Sequence, residues 1–448
     1  MVNKGNTASE RNIVLTMLLE LEKGKKSHLI LNETLSEYGY LDKVKRSFIT
    51  RLFKGCIERQ IELDYIINQY SKLKVKKMKP IIRNVLRMAV YQLKYMPSIP
   101  QSAACNEAVK LAKKRGFYNL KGFVNGVLRN IIRNMDSIEY PKDELENISV
   151  TYSVPLWLVK KLSTQYSLDE LKAVFKALYV TPGTFVRCNT SKASVEDIIE
   201  NLEYNGCSVN KSEYLNEALI ISGYDKLENL DVFKSGMITV QNISSMFPVI
   251  AADLKKGDLV IDVCAAPGGK SLHAAEKLTV LGGGEVISRD LSKQKVYLIN
   301  DNNKRCGYKN IKTEVLDATK LDELVVGKAD VILVDVPCSG MGVMAKKPDI
   351  KYNLDEQGIE ELIKLQHKIV KVASKYLKVG GTMVFSTCTI NKDENDTQWI
   401  VDELPFEKKI VDNRLFKKEL FKGNELRMLP TMDGCDGFYV GVFTKIND

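Results

Sequence analysis

LVIDVCAAPGGKSLHAAEKL, residues 259–278, reads as a short apolar strand, a glycine-containing turn and a helix. Gly268 and Gly269 allow the backbone to approach a ligand closely. A phosphate loop ending in Gly269, Lys270 and Ser271 would need glycine at position 264, where this chain has Cys264, and the dinucleotide pattern GxGxxG is also missing. The turn therefore suits a nucleoside-bearing ligand without a pyrophosphate. S-adenosylmethionine is the commonest ligand of that kind.

Outward from this unit the pattern repeats. DLVIDVCAA, GEVISRD, IKTEVLD, DVILVDVP and TMVFSTCT alternate with helical segments, which predicts a mostly parallel, doubly wound sheet over residues 236–448. GFYVGVFTK adds a closing strand. Ligands of such sheets gather beyond the carboxyl ends of the strands, so Cys338 and Cys388, each just past an apolar run, face one cleft. Asp262, Asp290, Asp317 and Asp335 also stand at successive strand ends. Any one of them alone reads as a cap or turn residue, but four beside two cysteines read as a site. Asp290 is placed to accept hydrogen bonds from ribose hydroxyls.

Residues 8 to about 135 carry helical patterns and no credible strand, with Ser102 as the cap of a helix restarted after Pro97 and Pro100. Asn125 and Arg129, four apart, share a helix face that either touches RNA or packs on a neighbour. The polar stretch 136–147 reads as a linker. Residues 148–235 then alternate helix, strand, helix and strand as a small α+β module.

Of the net charge of +10, residues 1–140 contribute +14 (26 Lys and Arg against 12 Asp and Glu) and the remainder −4 (40 against 44). Attraction to a polyanion thus sits in the first third. Lys72, Lys74, Lys76, Lys77, Lys79, Arg83 and Arg87 either neutralise phosphates or form a solvated charged face. No apolar run approaches the roughly 18 residues that span a bilayer, and the start lacks the apolar core of a secretory signal, so a cytoplasmic protein without membrane partners is expected. Nine cysteines without CxxC or Cys/His clustering argue against a disulfide framework or a metal site.

Three blocks, DVCAAPGGK (262–270), DVPCSG (335–340) and STCT (386–389), resemble in order and strand context the signature blocks of S-adenosylmethionine-dependent RNA cytosine-C5 methyltransferases. The N-terminal third is similar to NusB, an RNA-binding antitermination factor. Together they resemble the bacterial 16S rRNA methyltransferases of the RsmB (Sun/Fmu) type. That resemblance implies an all-α NusB-like domain (1–140), an RNA-recognition-motif-like α+β module (148–235) with Arg187 and Asn189 at its entry, and a Rossmann-like catalytic domain (236–448).

It further implies that Cys388 is the nucleophile, that Cys338 assists product release and that Asp335 contacts the base at N3. Cys264, Ala265, Ala266, Pro267, Gly268, Gly269 and Lys270 would line the cofactor, with Asp290, Asp317 and Asp335; Asp317 would meet the adenine. From the residues alone the two thiols are not separable. Lys270 or a helix terminus could supply the field that ionises a thiol. The implied partner is 16S rRNA, naked or in a partly assembled small subunit, and the implied state is a monomer.

Two positions depart from the family pattern: Asn242 stands where an aspartate is usual, and Lys347 where an arginine is usual. Alternatives are a tRNA substrate or a non-catalytic RNA-binding regulator. Amino-group methylation needs no cysteine, and its Asn/Asp-Pro-Pro-aromatic block is absent.

Overall fold

The computed structural model describes residues 9–180, 183–431 and 433–447. These form two compact units: one comprises the chain up to Tyr179 with Lys346–Asn353, the other Val180–Ala345 with Leu354 onward.

The first unit is helical. It contains α1 (Glu10–Glu22), α2 (Ser27–Glu37), α3 (Lys43–Glu58), α4 (Gln60–Tyr70), α5 (Pro80–Tyr95), α6 (Gln101–Lys114), α7 (Lys121–Arg133), α8 (Glu144–Thr151), α9 (Leu156–Ser163) and α10 (Leu168–Ala177). α5 starts with proline at its first position, where a missing N–H costs nothing, and buries Val85, Leu86, Ala89 and Val90. α10 starts with a reciprocal capping box between Ser167 and Glu170. α6 begins two residues earlier than expected: Pro100 is its cap, and Ser102 lies inside the helix. Stretch 136–147 is no loose linker, because Tyr140 O–H donates to the buried Glu62 at 2.6 Å and Asn147 donates to Pro141 O at 3.0 Å.

Lys346–Asn353 completes this unit from far along the chain. Ser27 donates through its N–H and hydroxyl to the Asp349 carboxylate. Lys351 Nζ donates to Glu58 O at 2.8 Å, Tyr352 O–H donates to Ile57 O at 2.8 Å, and the Tyr352 ring packs on the helical core.

The second unit holds two sheets. The smaller, ordered β2-β3-β1-β4, consists of β1 (Thr184–Cys188), β2 (Ser208–Lys211), β3 (Ala218–Ser222) and β4 (Ile238–Val240), and carries α11 (Val195–Tyr204), capped reciprocally by Ser194 and Asp197. The larger has β5 (Leu259–Asp262), β6 (Glu285–Asp290), β7 (Ile311–Val315), β8 (Ala329–Asp335), β9 (Leu377–Thr387), β10 (Phe406–Lys408), β11 (Glu425–Met428) and β12 (Phe438–Lys445). Its order is β10-β12-β9-β8-β5-β6-β7, with β11 on β12; β5 to β9 pair in parallel, and the pairs made by β12 are antiparallel.

Alternate residues of β8 serve opposite faces, as the period of two requires. Val331 and Leu333 join one core with Phe247, Leu272 and Leu278; Ile332 and Val334 join the other with Ile369, Val370 and Tyr439. Leu272 and Leu278 lie on α12 (Gly269–Val280), and Ile369 and Val370 on α13 (Glu356–Ala373). No helix among the described residues is long and apolar enough to cross a membrane.

Candidate active site

The chain runs from β5 through β6 to β7 at one edge, then returns to β8 on the other side of β5. The switch point of this sheet is therefore between β5 and β8, where the turn after Asp262 and the loop after Asp335 leave their strands.

The turn is fixed by backbone. Val263 N–H donates to Leu333 O at 3.2 Å, Ala265 N–H to Arg289 O at 2.9 Å and Gly268 N–H to Ala265 O at 2.7 Å; the Ala266–Pro267 bond is cis. Gly268 has φ +105°, and a Cβ there would lie 3.2 Å from Ile299, so the turn admits only glycine without strain. A Cβ at Gly269 would meet nothing closer than 3.7 Å. The two glycines, alike in sequence, are thus constrained differently.

Asp262, Asp290 and Asp335 act on this turn, while Asp317 follows the edge strand β7. Asp262 is wholly buried; its Oδ2 accepts from Ser271 at 2.6 Å, and burial pushes its carboxyl up to about 7 against that bond. Asp290 accepts from Ala266 N–H at 2.9 Å and Leu291 N–H at 2.7 Å, and faces Lys295 Nζ at 2.9 Å. Asp317 accepts from the Thr319 backbone at 2.9 Å and its hydroxyl at 2.8 Å, which holds its carboxyl below the ordinary range. Burial first, then Asp262, Asp290 and Asp335, push the Cys264 thiol upward, so Cys264 stays neutral. A rim of carboxylates attracts cations and repels phosphate.

Asp335 is held at both oxygens. Lys270 Nζ donates to Oδ2 at 2.6 Å and Ser386 O–H to Oδ1 at 2.8 Å, while Lys270 also lies 5.3 Å from the Phe438 ring centroid. The register β8 to β9 pairs Asp335 with Ser386, which places Cys338 and Cys388 beyond the ends of adjacent strands. Their sulfurs are 3.2 Å apart and both are half-buried. The hydrogen bond to Cys388, then burial, push the Cys338 thiol well above its ordinary value. Six other cysteines, Cys56, Cys105, Cys188, Cys207, Cys306 and Cys435, are buried.

Sequence reasoning quoted Ser386 in the STCT block without a role, and missed Phe438 and also Glu394 and Gln366, which hydrogen-bond Ser339 and Pro337 beside Cys338. Ser386 was legible as the residue two before Cys388, but no periodicity ties Gln366 or Glu394 to the Cys338 loop, where their partners Pro337 and Ser339 lie 29 and 55 residues away in sequence. Asn242 keeps a cap: its Oδ1 accepts from Ser244 N–H at 3.1 Å and Asp436 N–H at 3.2 Å, and its amide donates to Gly434 O at 3.3 Å, which a carboxylate could not do. Lys347 is exposed.

The expected basic face is smaller than the sequence suggested. Lys72, Lys74, Lys76, Lys77 and Lys79 are exposed between α4 and α5, whereas Arg83 makes two hydrogen bonds to Glu22 at 2.8 and 2.6 Å and buried Arg87 makes two to Asp64, both 2.7 Å. Those two arginines serve the helical core. Arg129 is exposed and Asn125 half-buried. Arg187 and Asn189 are fully buried, Arg187 bonding Gln241 at 2.9 Å and pairing with Glu276, so neither offers an RNA contact.

The family model for 16S rRNA methyltransferase RsmB/F matches residues 249–444, the NusB family model residues 8–133, and the model for the RsmF/B-like ferredoxin-like domain residues 154–226. A Bacillus subtilis protein named probable ribosomal RNA small subunit methyltransferase B is 34% identical over 96% of this chain and 98% of its own; one of the same name from Synechocystis is 30% identical over 89% and 91%. The crystal structure of PH0851 superposes with a TM-score of 0.82 at 26% identity, covering 99% of this chain and all of that one. NSun6 from Pyrococcus horikoshii shares the fold over 69% of this chain and 99% of its own (TM-score 0.56, 22% identity).

Proposed function

Since the chain belongs to the RsmB/F family of 16S rRNA methyltransferases, we propose that it methylates C5 of a cytosine in 16S rRNA, using S-adenosylmethionine and a transient bond from Cys388 to C6 of the base. The observation that carries this reading is the pair of thiols 3.2 Å apart beside a doubly anchored aspartate. Cytosine C5 is a poor nucleophile within its aromatic ring. Addition of a thiolate to C6 saturates the 5,6 bond and makes C5 enamine-like, so that C5 can attack an electrophilic methyl group; a base must then take the C5 proton so that the thiolate is eliminated.

Either sulfur can donate in the 3.2 Å contact; Cys388 is taken as the attacking sulfur because its STCT block resembles the one that carries the nucleophile in this family, and Cys338 beside it would assist product release. Asp335, fixed by Lys270 and Ser386, would stabilise protonation at N3. Lys270 is committed to Asp335 and acts on the thiols only through that carboxylate.

S-adenosylmethionine, when bound, supplies an electrophilic methyl on a sulfonium. The acidic rim of Asp290, Asp317 and Asp335 suits that cation, and the glycine at 268 lets the turn pack closely on Ile299 in a conformation that any Cβ would strain. Cys264 to Lys270 would line the methionine and sugar, Asp290 the ribose and Asp317 the adenine. The five exposed lysines between α4 and α5 would neutralise phosphates. The target would be an unpaired or extruded cytosine, because C5 and C6 must leave the stack. We assign the work to a cytoplasmic monomer acting on naked or partly assembled small-subunit rRNA.

The test is incubation with radiolabelled S-adenosylmethionine and unmethylated 16S rRNA or tRNA, followed by digestion to nucleosides. Labelled 5-methylcytidine from 16S rRNA is expected. Label confined to tRNA would overturn the substrate, and no label despite cofactor binding would favour an RNA-binding regulator.

A further inference from the structure

The residue directly after each cysteine reaches the same buried carboxylate. Glu394, 2% exposed, accepts from Ser339 N–H at 2.8 Å and Ser339 O–H at 2.5 Å, and from Thr389 O–H at 3.4 Å. Ser339 and Thr389 hydroxyls also meet at 2.7 Å. Gln366 of α13 donates to Glu394 at 3.2 Å and to Pro337 O at 3.0 Å, and Asn391 donates to Glu394 at 3.2 Å. The two loops touch again where Gly342 N–H donates to Cys388 O at 2.9 Å.

We propose that Glu394 is a positioning residue: it locks the Cys338 loop to the Cys388 loop and thereby sets the separation of the two sulfurs. The chemistry of its partners explains the residue type. A backbone N–H, the Ser339 hydroxyl and two amide groups donate to it, and the single hydrogen of the Thr389 hydroxyl lies between it and Ser339 Oγ, so the position needs an acceptor at both oxygens, which a carboxylate provides. Glutamine would turn an NH2 toward one of these donors and leave buried polar groups unpaired. Aspartate would keep the charge but withdraw it from at least one loop. Glu394 is too deep to touch RNA, and it acts only through Ser339 and Thr389.

The proposal rests on the thiol reading of the site for its effect on turnover, but the sulfur separation can be read without any methyl transfer. Diamide oxidises two neighbouring thiols to one disulfide, both hydrogens passing to its N=N bond. With wild-type chain the Cys338–Cys388 disulfide, identified by peptide mapping, should form rapidly. E394Q should close it more slowly by about tenfold or more, and lower kcat at least as much with KM for RNA nearly unchanged, as expected when reacting atoms are misplaced. S-adenosylmethionine affinity and cooperative melting should persist, and E394D should recover part of the closure rate.

Wild-type closure and kcat in E394Q would overturn the proposal. So would slow closure accompanied by loss of cofactor binding, since that marks general disruption. Should E394Q fail to fold, S339A, which removes the shared hydroxyl but leaves the backbone donor, is read in the same way. Slower closure supports the lock and unchanged closure overturns it. A wild-type protein that closes the disulfide rapidly yet transfers no methyl group would count against the proposed function and leave the lock to be judged on closure alone.

Discussion

Lys270 Nζ donates to Asp335 Oδ2 at 2.6 Å, joining the first residues of α12 to the end of β8 across the switch point of the sheet. On the proposed reading, the pair orients that carboxylate for the base. Asp335→Asn removes the ion pair and the stabilisation of a protonated base, so kcat should fall by about a hundredfold or more with the fold intact. Single-turnover rates with radiolabelled cofactor, beside a thermal melt, check this.

The thiol roles separate in a covalent-complex assay. Cys388→Ser should abolish both transfer and any adduct with RNA. Cys338→Ala should still form the bond to C6 but release it slowly, giving a denaturation-stable protein–RNA band on a gel. Normal turnover in Cys388→Ser would show the nucleophile to be elsewhere.

Asp262 makes stability depend on pH. Its carboxyl is pushed up from 3.8 to about 7 by burial, so the folded chain holds a proton that the unfolded chain releases. The contribution is whole below pH 3.8 and is lost as pH rises to about 7, an effect of up to about 4 kcal/mol. Denaturant midpoints without cofactor, measured across that window, should fall with pH for the wild type and fall less for Asp262→Asn.

Gly268→Ala places a Cβ at φ +105° and 3.2 Å from Ile299. The backbone strain alone costs about 1–2 kcal/mol. Cofactor affinity, measured by calorimetry, should drop together with Tm, whereas Gly269→Ala, with no atom nearer than 3.7 Å, should lower Tm less.

Lysines and arginines of the helical unit should behave differently toward RNA. Alanine at Lys74, Lys76, Lys77 and Lys79 should weaken binding and shrink the salt slope by up to about one unit per lost phosphate contact. Arg83→Ala should leave binding and slope unchanged, because that side chain is committed to Glu22. Filter binding at several salt concentrations distinguishes them.

The sheet, its strand ends and both cysteines were legible because each rests on a local pattern: apolar runs of strand length, punctuated by glycine, proline or aspartate. The helical unit was legible for the same reason, although Ser102 was displaced as a cap by the extended Pro100. Burial was not legible. Arg87 and Arg187 look in sequence like cations for a phosphate, and only tertiary partners, Asp64 and Glu276, show that they face inward. Glu394 escaped notice because its partners come from three separate stretches of chain.

Lys346–Asn353 belongs to the helical unit by packing and to the catalytic half by position in the chain. During synthesis the helices that emerge first therefore lack Asp349 for Ser27 and the Tyr352 ring for their core until most of the catalytic half has been made. The first unit reaches its finished form late, after the Cys338 loop exists, so the order of translation is not the order of completion. Removing the N-terminal helices would likewise leave a catalytic fragment carrying a stranded tyrosine, lysine and aspartate whose partners had gone.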